Sequence, residues 1–130
     1  MNLLLDSGVW FRYSHRLPLS AEAEVLVESR DNRLHLSPLS VLEIVYKWRS
    51  GRLDCEPPEL WLDAACAGYA WLNVTDAIAR EAALWPWEHG DPVDRVLAAT
   101  AKVHDVVLIH TDSRLKDLPG FPQRYFRGTN

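Results

Sequence analysis

Cysteine is scarce. Cys55 and Cys66 are the only two in 130 residues. They do not form a Cys-x-x-Cys pair, and two thiols in a chain this long do not build a disulfide scaffold. Long apolar runs are missing too: no stretch approaches the roughly 20 residues that a membrane-spanning helix needs. The one apolar N-terminal run, Leu3-Leu4-Leu5, is stopped by Asp6 and has no basic residue ahead of it, which argues against a secretory signal. The reading is a cytoplasmic protein with free thiols and no membrane partner. Positive charge is not in excess, since 14 Lys plus Arg face 18 Asp plus Glu for a net charge of −4. That balance excludes a tight, sequence-indifferent coat for nucleic acid. A Gly-rich phosphate loop is also lacking, because only Ser7-Gly8 follows the first apolar run. The histidines His15, His35, His89, His104 and His110 have no zinc-ligand spacing. No repeat, linker or low-complexity segment is present.

What remains is an ordinary globular composition, 48% hydrophobic and 25% charged, in a length that suits one domain spanning 1–130. Short apolar runs alternate with helical patterns. Asn2 to Leu5 reads as a buried strand, followed by a short helix from Val9 to about Tyr13. Ser20 caps a helix running to about Arg30, with Glu22 and Glu24 in its first turn. Leu34 to Leu36 is a second strand. Ser37-Pro38 opens a helix ending near Gly51, with Leu42, Val45 and Tyr46 on one face. Pro58 to about Ala67 is helical, and Tyr69 to Asn73 forms a third strand. Thr75 caps a helix through Leu84, and Asp91-Pro92 opens another through about His104. Val106 to Ile109 is the most strand-like run. A helical turn is expected before Pro119, and Tyr125-Phe126 adds an edge strand. Strands separated by helices imply βαβ units, hence an α/β fold with a mainly parallel central sheet covered on both faces.

In such sheets, ligands bind beyond the carboxyl ends of the strands. Asp6 closes the first strand and Asp112 follows the Val106–Ile109 strand. Asp91 and Asp94 lie in the first turn of one helix, and Glu43 lies along another, among apolar neighbours. Each acid also has a plain structural reading. Asp6 and Asp112 suit turns. Asp91 suits an N-cap with Asp94 at N3, and Glu43 suits a solvated helix face. Carboxylates gathered in one cleft repel one another unless a cation compensates. Mg²⁺ and Mn²⁺ take oxygen ligands, activate water, and let an acidic site accept a polyanion.

At these residues the chain resembles a family. Leu3-Leu4-Leu5-Asp6-Ser7 is similar to the opening strand and acid of PIN-domain nucleases. Ser37-Pro38-Leu39-Ser40-Val41-Leu42-Glu43-Ile44 is similar to their glutamate-bearing helix. The run His89-Gly90-Asp91-Pro92-Val93-Asp94-Arg95-Val96-Leu97-Ala98-Ala99 resembles the motif of VapC-type toxins, and Leu108-Ile109-His110-Thr111-Asp112 the closing strand and acid. The resemblance implies a three-layer α/β/α sandwich and a Mg²⁺- or Mn²⁺-dependent endoribonuclease. It also implies a VapB-type antitoxin as partner and a homodimer. Carried over by position, the catalytic and metal-binding acids are Asp6, Glu43, Asp94 and Asp112, with Asp91 as auxiliary. Ser7 and Thr111, beside core acids, and Ser40, one turn before Glu43, are expected to orient them. Two positions depart from the pattern. Val93 stands where a bulky aromatic is common, and His110 where an arginine or other polar residue often precedes the final motif. Neither is expected to touch a ligand residue.

RNA must also be held. Arg12 and Arg16 follow the first motif, Lys47, Arg49 and Arg52 the second, and Arg114 and Lys116 the last; Arg124 and Arg127 lie in the tail. They are candidates for phosphate contacts, against the alternative of solvated surface charge. Arg95 is expected to pair with a nearby acid, and His89 to serve a loop. The tryptophans Trp10, Trp48, Trp61, Trp71, Trp85 and Trp87 are read first as packing or partner-contact residues and only second as base-stacking platforms. A receiver domain would need paired acids after its first strand, which Ser7-Gly8 do not supply. The rival that survives is a catalytically inactive interaction module on the same fold. Setting aside the four core acids leaves acids and bases equal at 14 each, so one metal site accounts for the acidic surplus.

Overall fold

The architecture follows from one buried strand. In the computed structural model, which describes residues 1–88 and 90–128, β1 (Asn2–Leu5) lies at the centre of a five-stranded sheet. Its leucines alternate between two cores, as a period-2 strand must. Leu3 and Leu5 join Trp10, Phe11, Val27 and Ile44 on one face, while Leu4 joins Leu97, Ala101 and Leu108 on the other. Each fully buried leucine contributes roughly 2 kcal/mol of hydrophobic stabilisation. Helices α1 (Ser7–Ser14), α2 (Ala21–Glu28), α3 (Pro38–Arg49) and α4 (Leu62–Cys66) supply residues to the first core. Helix α6 (Pro92–His104) covers the second face, and α5 (Asp76–Leu84) packs on it through Ile78, Ala82 and Ala99. The result is the expected three-layer α/β/α sandwich.

All the ladders are parallel. β1 pairs with β2 (Arg33–Leu36) on one side and with β4 (Val107–His110) on the other; β3 (Ala70–Trp71) and β5 (Gln123–Tyr125) form the edges. The order β3-β2-β1-β4-β5 means that the chain builds outward from β1 in one direction and then returns to build in the other. The carboxyl ends of β1 and β4 therefore flank the point where strand order reverses, the place where such sheets open a crevice.

The helix starts follow the caps in the sequence. Ser20, Ser37 and Thr75 side chains accept from the backbone N–H of Ala23, Leu39 and Ile78, each at 3.2 Å. Asp91 accepts from Val93 at 2.9 Å. Each such cap contributes about 1 kcal/mol. Helix α6 stops at Asp105, which takes the left-handed conformation (φ 52°) that Asp tolerates better than most residues.

Several expectations are corrected. On α3 the buried positions are Ser40 and Ile44, whereas Leu42 and Tyr46 are 60% and 61% exposed. The helix packs through Ser40 and Ile44, with Val41 beside them, and leaves its largest apolar groups at the surface. The segment from Pro58 splits into a 3₁₀ turn (Pro58–Leu60) and α4. Between them Trp61 leaves helical geometry, donates to the Glu56 carbonyl at 2.8 Å, and sets its ring against Trp10. The third strand is only Ala70–Trp71, shorter than its apolar run, because only those residues reach β2. Residues 113–117 form a turn without a helix.

Candidate active site

Asp6 is the residue that the fold places most firmly. Its backbone N–H donates to the Ile109 carbonyl of β4 at 3.0 Å, and its Oδ1 accepts from Val9 N–H at 2.7 Å, capping α1. The structural reading of this acid is therefore true, and the carboxylate still stands at the crevice. Burial is the largest influence on it and pushes its pKa up from 3.8 to about 7. The Val9 hydrogen bond opposes that rise; the charges of Asp94, Glu43 and Asp112 add to it, in that order. All four acids carried over from the family pattern thus lie within electrostatic reach of one point, delivered by β1, α3, α6 and the end of β4.

Asp112 lies at the same edge in a different setting. Burial pushes its pKa up, but Arg114 outweighs burial and holds it below the ordinary carboxylate range. The guanidinium donates from Nε to Oδ1 at 3.2 Å and from Nη2 to Oδ2 at 3.1 Å, and the Arg114 backbone N–H donates to Oδ1 at 2.8 Å. A side-chain hydrogen bond with Asp94 lowers it further. Two carboxyl groups in such contact must share a proton or a cation. Glu43 is mostly covered and faces Lys47, one turn along α3, at 3.8 Å.

The auxiliary residues divide. Asp91 is a genuine cap, accepting from Val93 N–H and, at 3.4 Å, from Asp94 N–H. It fixes the start of the helix that carries Asp94. Ser7 and Ser40 are buried beside Asp6 and Glu43, but among the described residues neither hydroxyl has a hydrogen-bond partner. The direct bonds expected from them to the acids are not made. Thr111 lies half-buried between β4 and Asp112. His110 corrects a second expectation, for it does touch a ligand residue. Its Nδ1 accepts from the Asp112 backbone N–H at 3.2 Å, and its Nε2 faces Gln123 Oε1 at 2.7 Å. Burial lowers the pKa of this imidazole, so it stays neutral, with the proton on Nε2. No spacing in the sequence reveals this second support.

The basic residues are similarly sorted. Lys47 and Arg52 line a cleft of about 460 Å³ together with Glu43, Asp91, Tyr46 and Val93. Arg114 is bound to Asp112. Lys116 lies over the Tyr125 ring at 5.4 Å, and Arg12 donates to the Pro18 carbonyl. Arg124 borders a separate groove with Phe126, away from the acids. Arg16, Arg49 and Arg127 are exposed. Arg95 is committed to the segment after α5, donating to the carbonyls of Ala82, Trp85 and Trp87. The tryptophans mostly pack: Trp10 is fully buried, and Trp85 and Trp87 cluster with Phe121. His89 lies outside the described residues.

The acids suit a hard, hydrated cation. Among the described residues no group of three or more His, Cys, Asp or Glu forms a ready-made metal cage. Mg²⁺ does not ask for one, since it keeps several waters and takes one or two carboxylates. The unpartnered hydroxyls of Ser7 and Ser40 and the raised pKa of Asp6 mark this as a place where the protein alone leaves polar groups and charge uncompensated.

Carboxylates gathered at the strand ends of a parallel α/β/α sandwich are the arrangement shared by a known class of proteins. The PIN domain family model matches residues 3–120, and the chain belongs to that family. It is 31% identical over 117 residues to Ribonuclease VapC22 of Mycobacterium tuberculosis, covering 88% of this chain and 89% of that one. Its fold is that of VapBC2 from Rickettsia felis, solved bound to a DNA fragment from their promoter, at a TM-score of 0.74 and 12% identity over 97% of this chain and 99% of that one. DNA-bound VapBC from Salmonella typhimurium matches at a TM-score of 0.70 and 16% identity, covering 96% of this chain and 98% of that one. Among the described residues no helix is long and apolar enough to cross a membrane.

Proposed function

We propose that the protein is a metal-dependent endoribonuclease of VapC type, acting in the cytoplasm as the toxin of a VapBC pair. Its 130 residues work as one domain, with RNA as substrate, a VapB-type antitoxin as inhibitor and a second copy as dimer partner. Family membership and the VapC22 likeness support the nuclease reading. The VapBC complexes among the structures of the same fold support the antitoxin. The observation that carries the proposal is the mutual electrostatic reach of Asp6, Glu43, Asp94 and Asp112, which helps to push the pKa of Asp6 up to about 7.

Mg²⁺ or Mn²⁺ in this cleft would supply an activated water and would offset charge on the phosphate in flight. The protein's own work is positional. Asp6 is fixed by its bonds to Ile109 and Val9, and Asp94 by the Asp91 cap. Asp112 is held by Arg114 and by the His110 ring beneath its backbone. Loss of the Asp6 proton near neutral pH leaves a carboxylate ready to receive a cation. Lys47 and Arg52, on the wall of the adjoining cleft, suit the flanking phosphates, and the exposed Tyr46 ring between them suits an unpaired base. The rival reading, an inactive interaction module, gives no reason for four mutually repelling carboxylates at one sheet edge.

The test is cleavage of structured RNA by purified protein freed of any partner, with Mg²⁺ or Mn²⁺ and with excess EDTA. Cleavage that appears with the metal and stops with EDTA is expected. Protein that is folded, binds Mn²⁺ and cuts no RNA under any condition would favour the inactive module.

A further inference from the structure

We propose that Arg114 is a resident cation of the site: its guanidinium occupies Asp112 until a metal ion takes that carboxylate, and the released fork then binds the phosphate of the RNA. The inference rests on the nuclease reading and deepens it.

The Asp112 carboxylate has room for about four hydrogen bonds. Arg114 fills three of these places, two from its guanidinium and one from its backbone. Both oxygens are thereby engaged by the guanidinium, so the arginine and a divalent ion, two like charges, compete for the same carboxylate. The backbone donor is fixed by the turn. The guanidinium is not: its side chain is 68% exposed, while that of Asp112 is 21% exposed. Leaving the carboxylate costs Arg114 little, because its head can return to water. The guanidinium also lies in the field of Asp94 and Asp91, so it neutralises the same charge that a divalent ion would.

The second half follows from the chemistry of the group. An arginine fork that fits a carboxylate in two parallel hydrogen bonds fits a phosphate equally well. Once displaced, Arg114 stands at the rim of the carboxylate cleft with five donors and a fixed charge. An RNA phosphate entering that cleft is its natural next partner. The basic residues of the adjoining cleft, Lys47 and Arg52, lie with Glu43 on the α3 side of the acids. Arg114 lies on the β4 side, so a strand crossing the acids would be held from both.

The experiment compares wild type with Arg114→Ala and Arg114→Lys, first without RNA. Mn²⁺ affinity is measured by calorimetry and by electron paramagnetic resonance, alongside Tm in EDTA and in Mn²⁺. Arg114→Ala should bind Mn²⁺ about fivefold more tightly, as expected when a partly exposed ionic competitor is removed, and Mn²⁺ should raise its Tm more than that of wild type. Cleavage at saturating Mn²⁺ should fall by at least about tenfold. Arg114→Lys keeps the charge and loses the fork, so its Mn²⁺ affinity should lie near that of wild type while its cleavage remains poor. Unchanged or weaker Mn²⁺ binding by Arg114→Ala overturns the proposal, as does tighter binding with undiminished cleavage. If wild type itself neither binds Mn²⁺ nor cuts RNA, the nuclease reading has failed and takes this inference with it.

Discussion

Two aspartates close neighbouring strands of the same sheet, and their surroundings drive them in opposite directions. Asp6, at the end of β1, is half-buried and faces three other acids. The Val9 backbone N–H compensates it in part, and its pKa rises to about 7. Asp112, at the end of β4, has an arginine two residues along the chain and is pushed below the usual range. The contrast shows how one strand-end motif yields two kinds of carboxylate. The helix that starts directly after β1 buries Asp6, whereas the open turn after β4 gives Asp112 space for a long cationic side chain. One acid awaits a cation and the other already holds one.

The largest effect should come from erasing the Asp6 side of this contrast. Asp6→Asn keeps the shape and an acceptor for the Val9 N–H and removes the charge. RNA cleavage should fall by at least about 100-fold while the far-ultraviolet circular dichroism stays native. Asp94→Asn should do the same, and full activity in both variants would remove the metal-site assignment.

Next in size is a pH effect on the metal-free protein. Because Asp6 holds its proton more tightly when folded, its stabilising contribution is complete below about pH 4 and is lost as pH rises through about 7. That loss is at most about 4 kcal/mol for a shift of this order. The buried imidazoles His35 and His110, whose pKa values burial lowers, act in the other direction and add stability as pH rises toward 6.5. The comparison with Asp6→Asn separates the two. In EDTA, urea unfolding should show wild type losing stability relative to the variant between pH 4 and 7, and Mn²⁺ should reverse the loss. Parallel curves for the two proteins would show that Asp6 is not desolvated.

A smaller effect belongs to Asp112. In Arg114→Ala its titration, followed by carboxyl carbon NMR in EDTA, should move upward, toward the behaviour of Asp6. No movement would mean that the fork does not hold the carboxylate in solution. Smallest of all, Lys47→Ala removes a half-exposed partner 3.8 Å from Glu43. It should change stability by less than about 0.5 kcal/mol, and a cost above about 1 kcal/mol would show that Glu43 depends on that lysine.

Much of this frame was legible in the residues. The boundaries of β1 follow from an apolar run stopped by a turn acid, and those of α6 from an Asp-Pro start and a run of alanines. The caps at Ser20, Ser37, Thr75 and Asp91 all form, because short polar side chains before a helix have one good use. Strand ends and a helix start brought Asp6, Asp94 and Asp112 toward one edge, whereas Glu43 lies along the interior of α3, and the assignment of individual ligands rests on the family pattern. What was not legible depends on tertiary contact. The face of α3 was misjudged because Leu42 and Tyr46 outweigh Ser40 in any hydrophobic pattern, yet the packed layer accepts the smaller serine and leaves the larger groups outside. The two-residue β3 is set by where β2 ends, and its own residues hold no signal for its length. The support of Asp112 by His110 and Arg114 needs a strand end, a buried ring and a turn to be arranged together, and no spacing encodes that.

The most direct test of the account is the cleavage rate of partner-free protein on RNA as a function of Mn²⁺, for wild type and Asp94→Asn. The account predicts a rate that rises to saturation with Mn²⁺ in wild type, vanishes in excess EDTA, and is absent from the variant at every Mn²⁺ concentration. Cleavage that is undiminished in excess EDTA, or equal in the two proteins, would contradict it.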